Sequence, residues 1–87
     1  MTLRTTRRFD KAFARLADRD QRRVESALRL FVDQPFHPKL RNHALERKLR
    51  GLRAITAGHD LRIVYEAEEG GLVRVLLLNV GTHAEVY

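Results

Sequence analysis

The sequence predicts a small α+β domain in which two amphipathic helices precede an antiparallel sheet, in the order β-α-α-β-β-β. Apolar residues recur at helical spacing between residues 7 and 34, and the pattern changes to the alternation and apolar runs of strands between residues 61 and 80. A chain of 87 residues can bury one core and is too short for two. We therefore expect residues 1–87 to form a single domain.

The first helix is predicted from residue 7 onwards. Residues 3–6 favour an extended lead-in or an edge strand, because Thr5 and Thr6 are β-branched. After them, apolar side chains fall at i, i+3, i+4 and i+7, which is the stripe of an amphipathic helix. These residues are Phe9, Ala12, Phe13 and Leu16.

A second amphipathic stripe covers residues 24–32 and predicts the second helix. Asp18 or Asp20 is expected to cap it, with Gln21 completing a capping box with Asp18. Pro35 is expected to end it.

The second half of the chain carries the strand pattern. Residues 35–43 contain both prolines and are expected to form an ordered loop, and a strand is expected near residues 52–56. Residues 60–67 alternate between apolar and polar side chains, as in a strand with one partly exposed face. Residues 68–71, Glu-Glu-Gly-Gly, predict a tight hairpin turn. The apolar run at residues 72–80 predicts a strand near the middle of the sheet that is covered on both faces.

The charge is concentrated in the first half of the chain. The formal net charge is +6; residues 1–50 contain fourteen Lys and Arg against six acids, and residues 51–87 contain three against five. Fourteen of the seventeen bases are Arg, whose planar guanidinium suits phosphate and carboxylate. A polyanion or an acidic protein is therefore the expected partner, although many of these arginines are equally compatible with solvated helix faces.

Composition also predicts the compartment. The chain has no cysteine, so nothing in it requires an oxidising environment. The N-terminus lacks the apolar core of a signal peptide, and no apolar run approaches the roughly 20 residues of a membrane span. We expect a cytoplasmic protein that does not associate with a membrane.

Reactive side chains cluster after the last predicted strand. Thr82, His83, Glu85 and Tyr87 follow Gly81 within six residues. A rigid strand is a good mount for such groups, so we interpret His83 and Tyr87 as one wall of an RNA-binding site. The alternative is that His83 simply packs at the C-terminus.

At this point the sequence resembles the RelE/ParE superfamily of bacterial toxins, and specifically its YafQ-type messenger-RNA endonucleases. The resemblance rests on NHALERKLRGLRAITAGHDLRIVYEAEEGGLVRVLLLNVGTHAEVY, which places a His before a basic segment, an Asp at the start of a strand, and Gly-Thr-His followed by an aromatic residue. It implies the RelE-like microbial RNase fold. It also implies that the catalytic positions are His43, Asp60, His83 and Tyr87.

Two positions depart from the family pattern. Thr56 stands where YafQ-type enzymes usually have a further histidine, and Asn79 stands where they often have an arginine. His59 is a candidate for the missing imidazole, and Arg53 or Arg62 for the missing guanidinium. Without the family resemblance, we would interpret Asp60 as a residue that shapes a turn, and His43 as one that caps or fills a loop.

These residue types suit RNA cleavage through the ribose 2′-hydroxyl, with neither a metal nor another cofactor expected. His83 is the candidate acid, and Asp60, together with His43, is the candidate base. Tyr87 offers a face on which a base can stack. The candidate phosphate- and RNA-binding residues are Lys48, Arg50, Arg53 and Arg62.

The resemblance further implies a toxin of a type II toxin–antitoxin system that cleaves mRNA in the ribosomal A site. Its expected partner is a cognate acidic antitoxin, with which it forms a hetero-oligomer. One alternative is a non-enzymatic ParE-like toxin that inhibits DNA gyrase; another is a plain nucleic-acid-binding module. His43, Asp60, His83 and Tyr87 argue against the gyrase inhibitor, because a pure binder does not need that set.

Overall fold

The computed structural model describes residues 1–87 as a five-stranded sheet with two helices on one face. The strands are β1 Thr2–Thr5, β2 His43–Ala44, β3 Arg53–Thr56, β4 Leu61–Ala67 and β5 Arg74–Thr82. The helices are α1 Arg7–Arg15, α2 Asp18–Asp33 and α3 His83–Val86, and short 3-10 turns lie at Pro38–Leu40, Arg47–Leu49 and Glu68–Gly70. The order across the sheet is β1-β5-β4-β3-β2.

The predicted α+β class is confirmed, as are the two leading helices and the antiparallel arrangement of β3, β4 and β5. The sheet nevertheless differs from a purely antiparallel one. β1 pairs in parallel with β5, from Thr2 opposite Arg74 to Thr5 opposite Leu77. The strand β2 lies at the opposite edge, paired with β3, and begins at His43, which had been expected to belong to a loop.

The strand β5 lies inside the sheet, as predicted, but it begins two residues later than expected. Val73, at the start of the apolar run, is 76% exposed. Val75, Leu77 and Val80 are buried against the helices, whereas Leu76 and Leu78 on the other face are only half-buried. The expectation that both faces are fully covered is therefore wrong, because the long helices α1 and α2 both lie on one face.

The ends of two elements also differ from the prediction. Ala17, not Asp18 or Asp20, occupies the position before α2 and makes no side-chain cap. The Gln21 side-chain amide instead donates to the Phe13 carbonyl oxygen at 3.0 Å. The helix ends at Asp33, before Pro35, as predicted.

The turn between β4 and β5 is a 3-10 turn rather than a two-glycine hairpin turn. Its residues with positive φ are Glu69 at 57° and Gly70 at 76°. Arg74 and Glu69 form an ion pair of 3.0 Å beside this turn.

The core lies between the helices and one face of the sheet. Phe31 of α2 packs on Tyr65 of β4, with ring centroids 5.0 Å apart. The buried Tyr65 hydroxyl donates to the Asn42 side-chain oxygen at 2.8 Å, and Arg53 Nε donates to that oxygen at 3.1 Å and to the Tyr65 oxygen at 3.2 Å. The Tyr65 hydroxyl, which lies in the core, therefore has hydrogen-bond partners.

A β-bulge interrupts β5 beside α1. Val64 pairs with Asn79 and Tyr65 with Leu77, so Leu78 is the extra residue. The Thr6 hydroxyl lies 3.0 Å from the Leu78 carbonyl oxygen, to which it donates, and it accepts the Phe9 N–H at 3.1 Å as the N-cap of α1. The Thr6 side chain thus caps α1 and also hydrogen-bonds the carbonyl oxygen of the bulged residue Leu78.

None of the helices has the combination of length and apolar character that spanning a membrane requires.

We predict that Thr6→Ala lowers the free energy of unfolding by about 1–2 kcal/mol, because it removes the cap and the bond to the bulge together. Thr6→Ser keeps the hydroxyl and should retain most of the stability. Urea denaturation of the three proteins measures the difference. An equal loss in the Ser variant would assign the effect to the methyl group instead.

Candidate active site

The sheet face turned away from α1 and α2, called the open face below, collects polar side chains in two rows. In the first row, His43 pairs with Ala54, Ala54 with Val64, and Val64 with Asn79. In the second, Thr56 pairs with Arg62 and Arg62 with Gly81. Paired residues share a face and neighbours alternate, and the intervening pair of Ile55 and Ile63 belongs to the helix-side core.

The C-terminal helix α3 folds back onto the open face. Val86 at its end is buried and lines a cavity of about 270 Å³ together with Val64 and Leu78. Leu49 and Leu52 line the same cavity. The open face therefore has its own small apolar cluster, which holds α3 beside β4 and β5.

The turn into α3 is held by Glu85 above Gly81. A side chain at Gly81 would place its Cβ 3.0 Å from Glu85 Oε1 and 3.2 Å from the Glu85 Cβ, so a larger residue requires the Glu85 side chain to shift. The Thr82 N–H donates to Glu85 Oε1 at 2.8 Å, and the two residues form a capping box. The backbone bond from Thr82, helped by its side chain, lowers the pKa of Glu85 below the usual 4.5.

The two ends of α3 bring His83 and Tyr87 together. Their ring centroids lie 4.6 Å apart at an angle of 88°, an edge-to-face arrangement. Partial burial raises the pKa of the Tyr87 phenol, and the positive charge of Arg62 opposes that rise. Arg62 pairs with Gly81, so it lies on β4 beside the strand end from which α3 begins.

Asp60 and His83 lie just beyond the paired ends of β4 and β5. Leu61 and Thr82 are the last residues that β4 and β5 pair, and Asp60 and His83 are the next residue beyond each of them. Asp60 is exposed, and its carboxylate forms no ion pair within the chain. Its carboxylate is therefore available to a ligand.

His43 lies at the edge of the open face with a defined tautomer. Its Nδ1 is 2.8 Å from the Arg41 carbonyl oxygen. A carbonyl oxygen can only accept, so in the neutral ring Nδ1 carries the proton and Nε2 keeps a free lone pair. Nε2 is the nitrogen that can take up a proton from a ligand.

Thr56 lies between His43 and Arg62 on the open face. His43 is on β2, Thr56 on β3 and Arg62 on β4. Strands about 4.8 Å apart separate the outer two by roughly 10 Å across the sheet, and the register offsets His43 from the other two by two residues along the strands. Asn79 lies on the same face, where its side-chain oxygen accepts the Val80 N–H at 2.9 Å. Both departures from the expected family pattern are thus located on the open face.

The comparison with known families decides the identity. The family model described as "Bacterial toxin of type II toxin-antitoxin system, YafQ" matches residues 1–87. The chain belongs to the YafQ family of toxins. The predicted resemblance is confirmed over the whole chain.

Solved structures of YafQ have the same fold as this YafQ-family toxin. YafQ from E. coli strain BL21(DE3) superposes with a TM-score of 0.81 at 17% identity, covering 99% of this chain and 97% of that one. The E. coli DinJ-YafQ toxin-antitoxin complex gives 0.77 at 17% identity, covering 99% and 96%. A metal-bound toxin from Helicobacter pylori gives 0.79 at 26% identity, covering 100% and 99%. No curated protein matches the chain.

The remaining predicted site residues of this YafQ-family toxin are divided among three places. Lys48 and Arg50 are exposed in the segment whose Leu49 lines the open-face cavity. His59 is exposed and lines a groove beside α2. Arg53 is not brought to the open face: it pairs with Tyr65 on the helix side and lies 5.8 Å from the Phe36 ring centroid.

Sequence reasoning missed two features of the toxin. The first is α3, although Thr82-His83-Ala84-Glu85 matches the Thr-x-x-Glu signature of a capping box. The second is the set of cations along one side of α2, for which the spacing of Arg19, Arg22 and Arg23 is the signal.

We predict that acid loosens α3. The folded-state pKa of Glu85 is lowered, so the hydrogen bond from the Thr82 N–H to its carboxylate stabilises α3 fully at pH values above the unfolded-state pKa. This stabilisation is lost as the pH falls through the folded-state pKa of Glu85. The Thr82 amide proton should shift upfield over that range in an NMR titration, while contacts between the rings of His83 and Tyr87 weaken. Glu85→Ala should show the loosened state at every pH, and the exposed Glu46→Ala should match wild type. A Thr82 amide that does not titrate would contradict the capping role.

Proposed function

We propose that this YafQ-family toxin is a metal-free endoribonuclease that cleaves mRNA in the ribosomal A site through the ribose 2′-hydroxyl. The observation that carries the proposal is the arrangement at one end of the open face. There, the T-shaped pair of His83 and Tyr87 follows the end of β5, where Arg62 pairs with Gly81, and Asp60 lies at the adjoining end of β4. A base, an acid and a cation are the three groups that this reaction needs.

The reaction begins with removal of the 2′-hydroxyl proton. The Asp60 carboxylate or His43 Nε2 takes this proton, and the 2′-oxygen attacks the adjacent phosphorus. The bond from phosphorus to the 5′-oxygen then breaks, and protonated His83 donates a proton to that departing oxygen. The products are a 2′,3′-cyclic phosphate and a 5′-hydroxyl.

Arg62 is assigned to the phosphate. It pairs with Gly81, two residues before His83, and its positive charge opposes the rise in the pKa of Tyr87. A fixed guanidinium stabilises the extra negative charge that develops on the phosphate oxygens in the transition state. Lys48 and Arg50, both exposed beside the open face, are assigned to the flanking phosphates.

Tyr87 is assigned two roles. Its raised pKa keeps the phenol neutral, and the residue is 42% exposed, so its ring can stack on a base while it contacts His83. The edge-to-face contact holds the imidazole in one orientation. Thr56 supplies only a hydroxyl at the position where the family usually has a further histidine. We therefore assign the role of general base to His43 and Asp60.

We further propose that a cognate acidic antitoxin binds the toxin in the cytoplasm and forms a hetero-oligomer with it. The toxin carries a net charge of +6, which complements an acidic partner. The E. coli YafQ of the same fold was solved in a toxin-antitoxin complex with DinJ. The same positive charge suits binding to the ribosome.

The test is cleavage of mRNA on programmed ribosomes in EDTA by wild type, His83→Ala and the control His37→Asn. His37 caps a 3-10 turn outside the site, and Asn can replace it as a cap. We expect wild type and His37→Asn to cleave at the same rate, and His83→Ala to be slower by about 10²-fold or more. The new ends should be a 2′,3′-cyclic phosphate and a 5′-hydroxyl. Equal cleavage by His83→Ala, or absence of cleavage by wild type, would refute the proposal.

A further inference from the structure

Phe36 is a large apolar side chain that lies at the surface beside a guanidinium. The residue is 63% exposed. The Arg53 Cζ lies over its ring, 5.8 Å from the ring centroid, which is within the range of a cation–π contact. A guanidinium can cover only one face of a ring. The high exposure of Phe36 therefore leaves most of its other face to solvent.

Asn42 holds Phe36 and Arg53 in their relative positions. The Asn42 side-chain nitrogen donates to the carbonyl oxygen of Pro35, the residue before Phe36, at 3.0 Å. The Asn42 side-chain oxygen accepts from Arg53 Nε at 3.1 Å and from the Tyr65 hydroxyl at 2.8 Å. Because Tyr65 is fully buried in the core, this network fixes the exposed ring and the guanidinium to a rigid part of the fold.

The Arg53 guanidinium keeps donors for a ligand. Its hydrogen bonds to Asn42 and Tyr65 both use Nε, and no carboxylate pairs with it. Its two terminal nitrogens are the pair that binds phosphate in a bidentate manner. The segment 35–53, which contains both Phe36 and Arg53, has six Lys and Arg against one acid, so its charge also suits a phosphate backbone.

The pair of Phe36 and Arg53 lies across the β2 edge from the candidate active site. Arg53 pairs with Ala44, and His43 pairs with Ala54. Because neighbouring residues of a strand face opposite sides, Arg53 lies on the helix side and His43 on the open face. The strand β2 is the edge of the sheet and has only two residues. A single RNA strand that leaves the open face at His43 can therefore cross this short edge and reach Phe36.

The surroundings of Phe36 favour an RNA base over an apolar protein surface. Proteins that bind unpaired bases stack them on aromatic side chains among cations, and arginine adds a cation–π contribution. The exposed residues between Phe36 and His43 are Pro38, Lys39 and Arg41. Two of these three are cations, whereas a protein interface of the usual kind is depleted of charge at its centre.

We propose that Phe36 and Arg53 form an RNA subsite on the helix side of the β2 edge, called the edge subsite below. An unpaired base stacks on the open face of the Phe36 ring, and the Arg53 guanidinium binds the adjoining phosphate. The nucleotide bound there flanks the nucleotides that react on the open face. The inference rests on the proposed function for its RNA substrate, but RNA binding at the edge subsite needs no cleavage.

The test measures binding of a fluorescein-labelled 2′-O-methyl uridine dodecamer by anisotropy. Phe36→Ala removes the ring, Phe36→Leu keeps an apolar side chain without an aromatic face, and Phe36→Trp keeps the aromatic face. Val73→Ala is the matched control, because it truncates another exposed apolar side chain near the turn between β4 and β5. Both positions are exposed in wild type, and circular dichroism checks the fold of every variant.

We expect Phe36→Ala and Phe36→Leu each to raise the Kd of the dodecamer at least about fivefold, because a stacked base is lost. Phe36→Trp and Val73→Ala should stay within about twofold of wild type. Binding by Phe36→Leu that equals wild type would reduce Phe36 to an apolar contact and overturn the proposal. An equal loss in Val73→Ala would overturn it as well.

A second arm uses a dodecamer with the same backbone and no bases. Wild type and Phe36→Ala should bind this abasic strand equally well, because the ring has no base to stack on. If Phe36→Ala lost as much affinity for the abasic strand as for the uridine strand, Phe36 would not stack on a base. That result would also overturn the proposal.

A third arm measures mRNA cleavage on programmed ribosomes. Phe36→Ala should need at least about fivefold more toxin than wild type to reach half of the maximal cleavage rate. Cleavage by Phe36→Ala that equals wild type at every concentration would overturn the edge subsite. A toxin that binds the dodecamer through Phe36 but does not cleave RNA contradicts only the proposed function. A toxin that cleaves RNA but binds the dodecamer no better than Phe36→Ala contradicts only the edge subsite.

Discussion

The site depends on the reversal of the chain at Gly81 and Thr82. The strand β5 ends there, and Glu85 occupies the space above Gly81 while its carboxylate accepts the Thr82 N–H. This reversal lets Val86 bury itself against the open face and places the rings of His83 and Tyr87 in contact. Without it, the reactive residues after β5 would extend past the sheet instead of lying over it.

The two faces of the sheet have separate tasks. The helix side holds the main core, where Phe31 packs on Tyr65 and Arg53 donates a hydrogen bond to Asn42. The open face needs only the small cluster around Val86, which leaves its remaining area to polar side chains. A stable core on one side therefore supports a solvent-accessible site on the other.

Local patterns predicted the elements well because helices and hairpins are short-range structures. The stripe from Phe9 to Leu16 and the alternation in β4 each specify a face within a few residues. The parallel pairing of β1 with β5 joins residues about seventy positions apart, and neither strand carries a local signal for it. The bulge at Leu78 likewise depends on Thr6, whose hydroxyl lies close to it only in the folded chain.

The site residues were identifiable by type, but their grouping required the sheet register. Pairing places Asp60 next to the start of α3 and puts His43, Thr56 and Arg62 on one face. Arg53 could not be distinguished from Arg62 by composition, yet its register with Tyr65 directs it to the helix side. The groove beside α2 combines three separate segments of the chain, so only the folded structure shows it.

The most direct test of the account is an NMR titration of the toxin with a 2′-O-methyl oligonucleotide, which cannot react through the 2′-oxygen. We expect amide shift changes at His43, Arg62, His83 and Tyr87, with α1 and the outer surface of α2 unaffected. Shift changes confined to the helices, with the open face unchanged, would contradict it.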